Sequence, residues 1–524
     1  MYSGHLRMGW TSYNRASMGI LIAVAIAQPS LVLAAPFSGP LRPPPSCSVL
    51  HKATDAGINI VRMPQRRLPN IPSATPAIEE QPKTSPRPSE PEQLQGRLLK
   101  FPVKLGSQPS TAQNDFLGVE MEAVELPLAL SLGLPKADGA FVFKTVPGAA
   151  AAQAGIGVGD IIVGLNGFVV STVDDVRKRV MFLAPGTEIT VEVWRAGSNN
   201  EDPLQVLRRL AETGNAHIMY RLGRIYSMGP ASLRDEVEGV RWYQRAADAG
   251  NASGMTALAM AHLRGRGTPR DQQEGLRLLK AAAAKNSPDA MYQLATILVA
   301  GQLVEKDALE AVRLYSKAAD AGHVASMFEL GRAYYNGTGV QPDPSKAAIW
   351  YKQAADLGYA GAMSNLGWLY EHGKGVETDV AKAISLYERA VELNNSGGMV
   401  NLALVYVNGK GVQKDEVAAV ALYRRGAALG NSIAMNNLAW MLQGGRGVAR
   451  RDPEEAADLM LRALENRNDF SYRQMMQNSR AWSREFRQAL QAKLRAAGYY
   501  SGRIDGELRD TSIAAINAYI NRKR

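Results

Sequence analysis

Residues 358–393, GYAGAMSNLGWLYEHGKGVETDVAKAISLYERAVEL, decide the fold of this chain. Met363, Leu366, Gly367 and Tyr370 fall at i, i+3, i+4 and i+7, so they share one face of a helix, and the glycine lets a neighbouring backbone come close. Gly373 and Gly375 end that helix. Asp379 is placed to cap a second one, whose apolar face is Val380, Ala383, Ile384, Tyr387 and Ala390. Neither helix is long enough to hold alone in water. A pair has two apolar faces and one partner, so such units must stack to bury them.

The rest of the chain supplies the stack. Stepping 36 residues at a time from Met219 gives Met255, Met291, Met327, Met363, Met399 and Met435. A leucine stands three residues after each, from Leu222 to Leu438, and Gly or Ala follows it. A glycine stands ten after each, from Gly229 to Gly445. Such self-similarity predicts an all-α right-handed solenoid of about seven 36-residue two-helix repeats over 214–466. The pattern A-D-x-G-[NHY]-x-x-A-M-x-x-L-G-x-x-Y-x-x-G-x-G-V-x-x-D-x-x-x-A-x-x-x-Y resembles the Sel-like repeat (SLR) class, relatives of tetratricopeptide repeats. Departures lie at Ser287-Pro288 and Leu303-Val304 in the third unit and at Arg450-Arg451, which adds a residue to the seventh.

With 524 residues the chain exceeds one ordinary core, so several domains are expected. The formal charge of +11 would attract anions, but it is spread out, with no arginine comb or alternation of aromatic and basic residues, so nucleic acid is not expected as a partner. The single cysteine, Cys47, permits no intrachain disulfide and no cysteine ligand set.

Arg7 and Arg15 precede the apolar run Met18 to Ala27, and Leu31-Val32-Leu33-Ala34-Ala35 follows Pro29. This reads as a secretory signal peptide over 1–35, with Val32 and Ala34 at the −3 and −1 sites; an uncleaved N-terminal anchor is the alternative. Either way the expected place is the bacterial envelope, secreted or periplasmic, and no second run of spanning length follows. Residues 36–111, rich in proline from Pro43 to Pro91, read as a disordered linker that gives the folded part reach.

From Asp115 the texture changes to strands: Phe141-Val142-Phe143 and Ile161-Ile162-Val163 are short and apolar, Asn166-Gly167 signals a hairpin, VDDVRKRVMF is helical and TEITVEVWRAG is a strand. With Pro147-Gly148, Ala152, Ala154-Gly155 and Gly159-Asp160, residues 112–200 resemble a PDZ domain of the kind found in bacterial secreted proteases of the high-temperature-requirement type. That resemblance implies a groove between a strand edge, here Val119 to Val124, and a helix, where a peptide adds as an extra strand. It also implies that Phe116, Leu117, Gly118 and Val119 form the carboxylate-binding loop and that Val176 and Val180 line the pocket for the last side chain. The same apolar residues could equally be core. Asp160 belongs to the family's turn and is not expected to be catalytic.

After the repeats, 467–483 reads as a capping helix. Residues 484–524 resemble a peptidoglycan-binding-like module through Gln491, Leu494, Gly498-Tyr499-Tyr500, Gly502, Asp505-Gly506, Thr511, Ala514 and Tyr519, with Arg509 where that family often has glycine. Wall contact and a plain helical cap both remain open for it.

The six histidines form no metal spacing, and no nucleophile elbow, zinc helix, phosphate loop or dinucleotide fingerprint occurs, so no metal, no cofactor and no enzyme activity are expected. The expected function is that of an envelope scaffold or adaptor: peptide C-termini in the PDZ groove, a second protein on the concave face of the solenoid, and peptidoglycan as a further candidate. Two alternatives stand beside it: a docking factor that regulates a separate envelope protease, and a hydrolase of the SLR β-lactamase type.

Overall fold

The structure, a computed structural model, describes residues 96–106, 117–181, 183–197, 201–466 and 468–522. The expected signal peptide, Cys47, the linker up to residue 95 and Phe116 lie outside the described residues.

The N-terminal part of the described residues is one sheet whose strand pairs are all antiparallel. Its elements are β1 (Gly96–Lys104), β2 (Val119–Ala123), α1 (Leu126–Ser131), β3 (Ala140–Thr145), α2 (Ala150–Gln153), β4 (Ile161–Leu165), β5 (Phe168–Val169), α3 (Val173–Met181) and β6 (Glu188–Ala196). The strand order is β1-β6-β4-β3-β2, with β5 hairpinned onto β4 through Asn166 and Gly167, both at positive φ as such a tight turn requires. Strand alternation sorts the side chains onto two faces. Ala140 and Val142 point to the face covered by α2 and α3, together with Val119, Ile162, Val176 and Val180. Phe141 and Phe143 point to the other, with Val124, Leu128, Leu132 and Ile161.

Strand β1 corrects the expected linker boundary. It lies inside 36–111, yet it pairs with β6 along its whole length, from Gly96 opposite Ala196 to Lys104 opposite Glu188. Pro102 and the lysines around it gave the segment the look of a tether, but a sheet edge tolerates a residue without an N–H, and lysines keep the edge in water. Leu99, Phe101 and Val103 alternate inward from it.

Helix α4 (Pro203–Glu212) follows, capped by Asp202, and buries Leu204, Val206, Leu207 and Ala211. Seven helix pairs then run without a break: α5 (Ala216–Met228) and α6 (Glu236–Asp248), α7 (Ala252–Arg264) and α8 (Gln272–Ala284), α9 (Pro288–Ala300) and α10 (Ala308–Asp320), α11 (Val324–Asn336) and α12 (Pro344–Asp356), α13 (Ala360–His372) and α14 (Val380–Glu392), α15 (Ser396–Asn408) and α16 (Glu416–Ala428), α17 (Ser432–Gly444) and α18 (Pro453–Glu465). Every second helix is capped by an aspartate side chain, from Asp235 to Asp452, each worth about 1 kcal/mol. The tiny residue after the repeat leucine does what its position demands. A Cβ at Gly331 would stand 2.5 Å from the Tyr351 ring, and one at Gly367 would stand 2.7 Å from Tyr387.

First helices of neighbouring repeats touch each other, α5 with α7, α7 with α9, α13 with α15 and α15 with α17, and the second helices stand farther apart. First helices therefore form the inner, concave wall. On each of them, residues two before and two, five and nine after the repeat methionine fall on one side of the helix, opposite the methionine.

The solenoid does not hang from the sheet as a separate bead. Ile218, Met219, Leu222, Ile225 and Tyr226 of α5 and the apolar side of α4 join Phe141, Phe143, Val124 and Leu128 in one core. At the far end, α19 (Asp469–Gln477), α20 (Arg484–Ala496) and α21 (Asp510–Asn521) share a core with α18, and Trp482 stacks on Phe486 at 4.4 Å. Gln491 is fully buried there and accepts from the Gly506 N–H at 2.8 Å, which pins the loop before α21.

A fragment ending at residue 200 would leave the Phe141 and Phe143 face of the sheet without its cover. We expect such a fragment to bind a hydrophobic dye and to lack a sharp melting transition, whereas the full chain melts the sheet and the first repeats together; a cooperative, dye-negative fragment would show that the shared core is dispensable.

Candidate functional site

The strand β2 ends the sheet, and α3 lies beside it on the face opposite the solenoid. The turn that leads into β2 holds Gly118 at φ +73, a left-handed conformation in which a side chain would be strained. The Leu117 carbonyl accepts from the Ala151 N–H and the Gly118 carbonyl from the Val146 N–H, both at 2.9 Å, so the turn is fixed against α2 and the end of β3. Leu117 and Val119 meet Val176 and Val180 in one apolar cluster, all four buried. Half-buried Met121 from β2 and Val173 from the first turn of α3 border it on the open side. Of the six residues assigned to peptide binding from the sequence, five are thus brought together along the seam between β2 and α3; Phe116 is the one outside the described residues.

Asp160 is fully buried and engaged on both oxygens. Arg195 donates to them through Nε at 2.7 Å and Nη2 at 2.6 Å, and the Gly157 N–H donates at 2.8 Å. The same Nη2 also reaches the Gly155 carbonyl at 2.8 Å, and the bond to Asp160 raises the arginine's pKa. The pair ties the turn before β4 to β6, and its role is structural.

The sequence reading missed a charged seam between sheet and solenoid. Glu122 of β2 is clamped by Arg221 and Arg224 of α5, whose side chains are 6% and 23% exposed. The Arg221 guanidinium lies 5.8 Å from the Phe141 ring centre and Arg224 lies 4.7 Å from that of Phe143. Beside them, Glu125 pairs with His217 at 3.5 Å, and Asp289 of α9 pairs with His323 at 3.3 Å. His217, Arg221, Arg224 and Asp289 all fall on the side of their helix opposite the repeat methionine. The signal was present: two arginines at i and i+3 on one face of the first repeat helix, a pair that no other repeat has at those positions, and a glutamate on a strand that ends the sheet. Among the described residues no three histidine, cysteine, aspartate or glutamate side chains converge as a metal site, and no helix is long and apolar enough to cross a membrane.

Asp289 titrates below the ordinary aspartate value, first because His323 hydrogen-bonds to it, against an opposing effect of burial. A folded-state value below the unfolded one stabilises the fold above the unfolded pKa, and that contribution is lost as pH falls through the folded value. Asp289→Asn should therefore lower the melting temperature at neutral pH and flatten its decline between about pH 5 and pH 3. Parallel melting curves for variant and wild type over that window would remove the pair from the account.

Comparison with known proteins matches two stretches of the chain. The Sel1 repeat model matches 216–251, 252–287, 288–323, 324–359, 360–395, 396–431 and 432–468. The PDZ domain model matches 115–206. A probable periplasmic serine endoprotease, DegP-like, from Rhizobium meliloti is 36% identical over 96 residues, 18% of this chain and 19% of that protein. Its counterpart from Bartonella henselae is 38% identical over 85 residues, 16% of this chain and 17% of that protein. The chain thus spans about a fifth of the length of these curated relatives. Among solved structures, a protective antigen of uropathogenic Escherichia coli displaying an SLR fold is 26% identical, covering 56% of this chain and 64% of that one at a TM-score of 0.43. A Sel1 repeat protein from Oxalobacter formigenes is 27% identical, covering 52% and 80% at 0.42. The polypeptide is a PDZ domain followed by seven Sel1 repeats, two modules built for contact with other proteins.

Proposed function

We propose that this protein is a scaffold of the bacterial envelope that works by binding: it holds a peptide C-terminus along β2 and presents the inner wall of the repeats to protein. The observation that carries this is the position of β2, last in the sheet with α3 alongside, because an added strand gains main-chain hydrogen bonds there without any side-chain chemistry. Leu117, Gly118 and Val119 stand where a terminal carboxylate would be met, and Val176 and Val180 back the pocket for the last side chain, with Phe116 completing the loop by sequence. Their burial suits a small apolar residue that slips against Met121 and Val173. The periplasm is the compartment in this proposal, from the N-terminal apolar run and from PDZ relatives named as periplasmic. Binding, and no reaction, is the activity proposed.

The test is a peptide with an apolar end, offered as free acid and as amide. The free acid should bind the full chain and the amide should bind about tenfold more weakly, since charge-assisted bonds to the turn are lost. Gly118→Trp, checked for fold by circular dichroism, should abolish the binding of both. Equal binding of acid and amide would remove the carboxylate loop from the proposal, and unchanged binding by the variant would remove β2.

A further inference from the structure

The seventh repeat departs from the other six in its turn, and a groove lies there. In each earlier unit the aspartate that caps the second helix follows the turn glycine by six residues, as Asp415 follows Gly409, whereas Asp452 follows Gly445 by seven. The turn also loses bulk: Ala449 stands where the third to sixth units carry Glu305, Gln341, Glu377 and Gln413. Against this turn, α16 and α18 leave an open groove of about 480 Å³, with Val417, Val420, Leu442 and Val448 as its apolar lining. That volume lies in the range of ligand sites, about 300–1,000 Å³. Val417 is 68% exposed, so part of the lining meets water and is open to a guest.

The rim is charged, and its unspent charge is positive. Arg424 and Glu455 satisfy each other through two bonds, Nη1 to Oε1 at 2.6 Å and Nη2 to Oε2 at 3.0 Å. Asp452 lines the groove as well, but its Oδ1 accepts from the Glu455 N–H at 2.8 Å as the cap of α18. Glu416, beside Val417, already holds Lys414 at 2.9 Å and Arg446 at 2.6 Å. Glu454 and Asp458 pair with Lys493 of α20, at 3.1 and 3.0 Å. Arg450, which lines the groove, and Arg451 next to it are both exposed and enter no ion pair among the described residues. Lys414, Arg424, Arg446, Arg450 and Arg451 thus face Glu416, Asp452 and Glu455, five cations against three anions.

We infer that this groove is a further binding site, one that takes an internal segment of a partner protein in which a large apolar residue is flanked by acidic ones. The apolar side chain enters against Val417, Val420 and Val448, and burying it drives the contact. A carboxylate beside it meets the Arg450 guanidinium, the one lining charge that no neighbour neutralises, whose planar fork matches a carboxylate. The extra residue in the turn is what supplies that arginine, and Ala449 leaves the space in front of it. No residue of the groove belongs to the sheet, so the inference is independent of the β2 reading.

Fluorescence anisotropy on the full chain tests this with short labelled peptides blocked at both ends, so that none presents a terminal carboxylate. One carries a phenylalanine between glutamates, one has alanine in place of the phenylalanine, and one has lysines in place of the glutamates. The first should bind about tenfold tighter than the alanine peptide, the worth of burying one large side chain. It should bind about fivefold tighter than the lysine peptide, as exposed charges allow, and that preference should fall as salt is raised. Arg450→Gln should shrink the preference for glutamate, and Val417→Glu should abolish binding; both side chains are exposed, so melting temperatures should match the wild type. Gly118→Trp should bind the peptide as the wild type does. Equal affinities for the three peptides, no binding by any of them, binding that survives Val417→Glu, or binding lost in Gly118→Trp would each overturn the inference. So would phenylacetate that binds as tightly as the first peptide, since the groove would then take a small carboxylate.

Discussion

Everything in this molecule turns on how Glu122 is held. Taking a carboxylate out of water costs several kcal/mol, and one arginine in a low-dielectric seam offsets that cost only with good geometry. Two arginines from one turn of α5 surround it, each resting on a phenylalanine of β3, so the charges are paired and their apolar stems packed at once. The apolar core on either side supplies the stability. The clamp supplies registry: a one-residue slip of β2, or a rotation of α5 by one position, would leave an unpaired charge buried. It is the reason that the outermost strand of the sheet has a fixed bearing on the first wall of the repeats.

That constraint separates what could be read from the sequence from what could not. The solenoid was legible because its information is local and repeated: Met363, Leu366 and Gly367 say the same thing as their counterparts in six other units, and the aspartate caps from Asp235 to Asp415 stand where the 36-residue spacing places them, with Asp452 one residue later. The sheet was legible from its turns, since Asn166-Gly167 and Gly159-Asp160 admit few conformations. Strand β1 was not, because Pro102 with Arg97, Lys100 and Lys104 outweighs Leu99, Phe101 and Val103 in any composition, and only the nine-residue register with β6 restores them. The shared core was equally hidden. Phe141 and Phe143 alternate as any half-buried strand would, and nothing local says that their cover is a helix some eighty residues later.

The candidate groove shows the limit in another form. Val176 and Val180, one turn apart, were read as lining a peptide pocket, and they are buried in one cluster with Leu117 and Val119. Whether such residues are pocket or core depends on how closely β2 and α3 approach, and that distance is set by contacts spread over the whole domain. Leu117 and Val119 carry the same ambiguity. The charged seam, by contrast, had a signal in Arg221 and Arg224, but its meaning required knowing that Glu122 sits on the strand that meets α5.

A rigid joint changes what a two-module protein can do. On a flexible linker, a second site raises affinity through effective concentration alone, and the gain falls as the linker lengthens. Here the sheet and the solenoid share one core, so a ligand that fits both meets the ordering cost once and gains only if its own geometry matches. The wall then grades the match along its length. The residue two before the repeat methionine is Asp289, Ala325, Gly361 and Gly397 in the third to sixth units, against His217 and Ser253 before them and Ile433 after. Helix α15, which carries Gly397, is buried on every side, with Val400 fully covered and Leu404 nearly so. An inner wall that is open beside the sheet and shut beyond the fifth repeat divides the labour among the repeats. The later ones, with the three terminal helices that share their core, stiffen the far end of the solenoid.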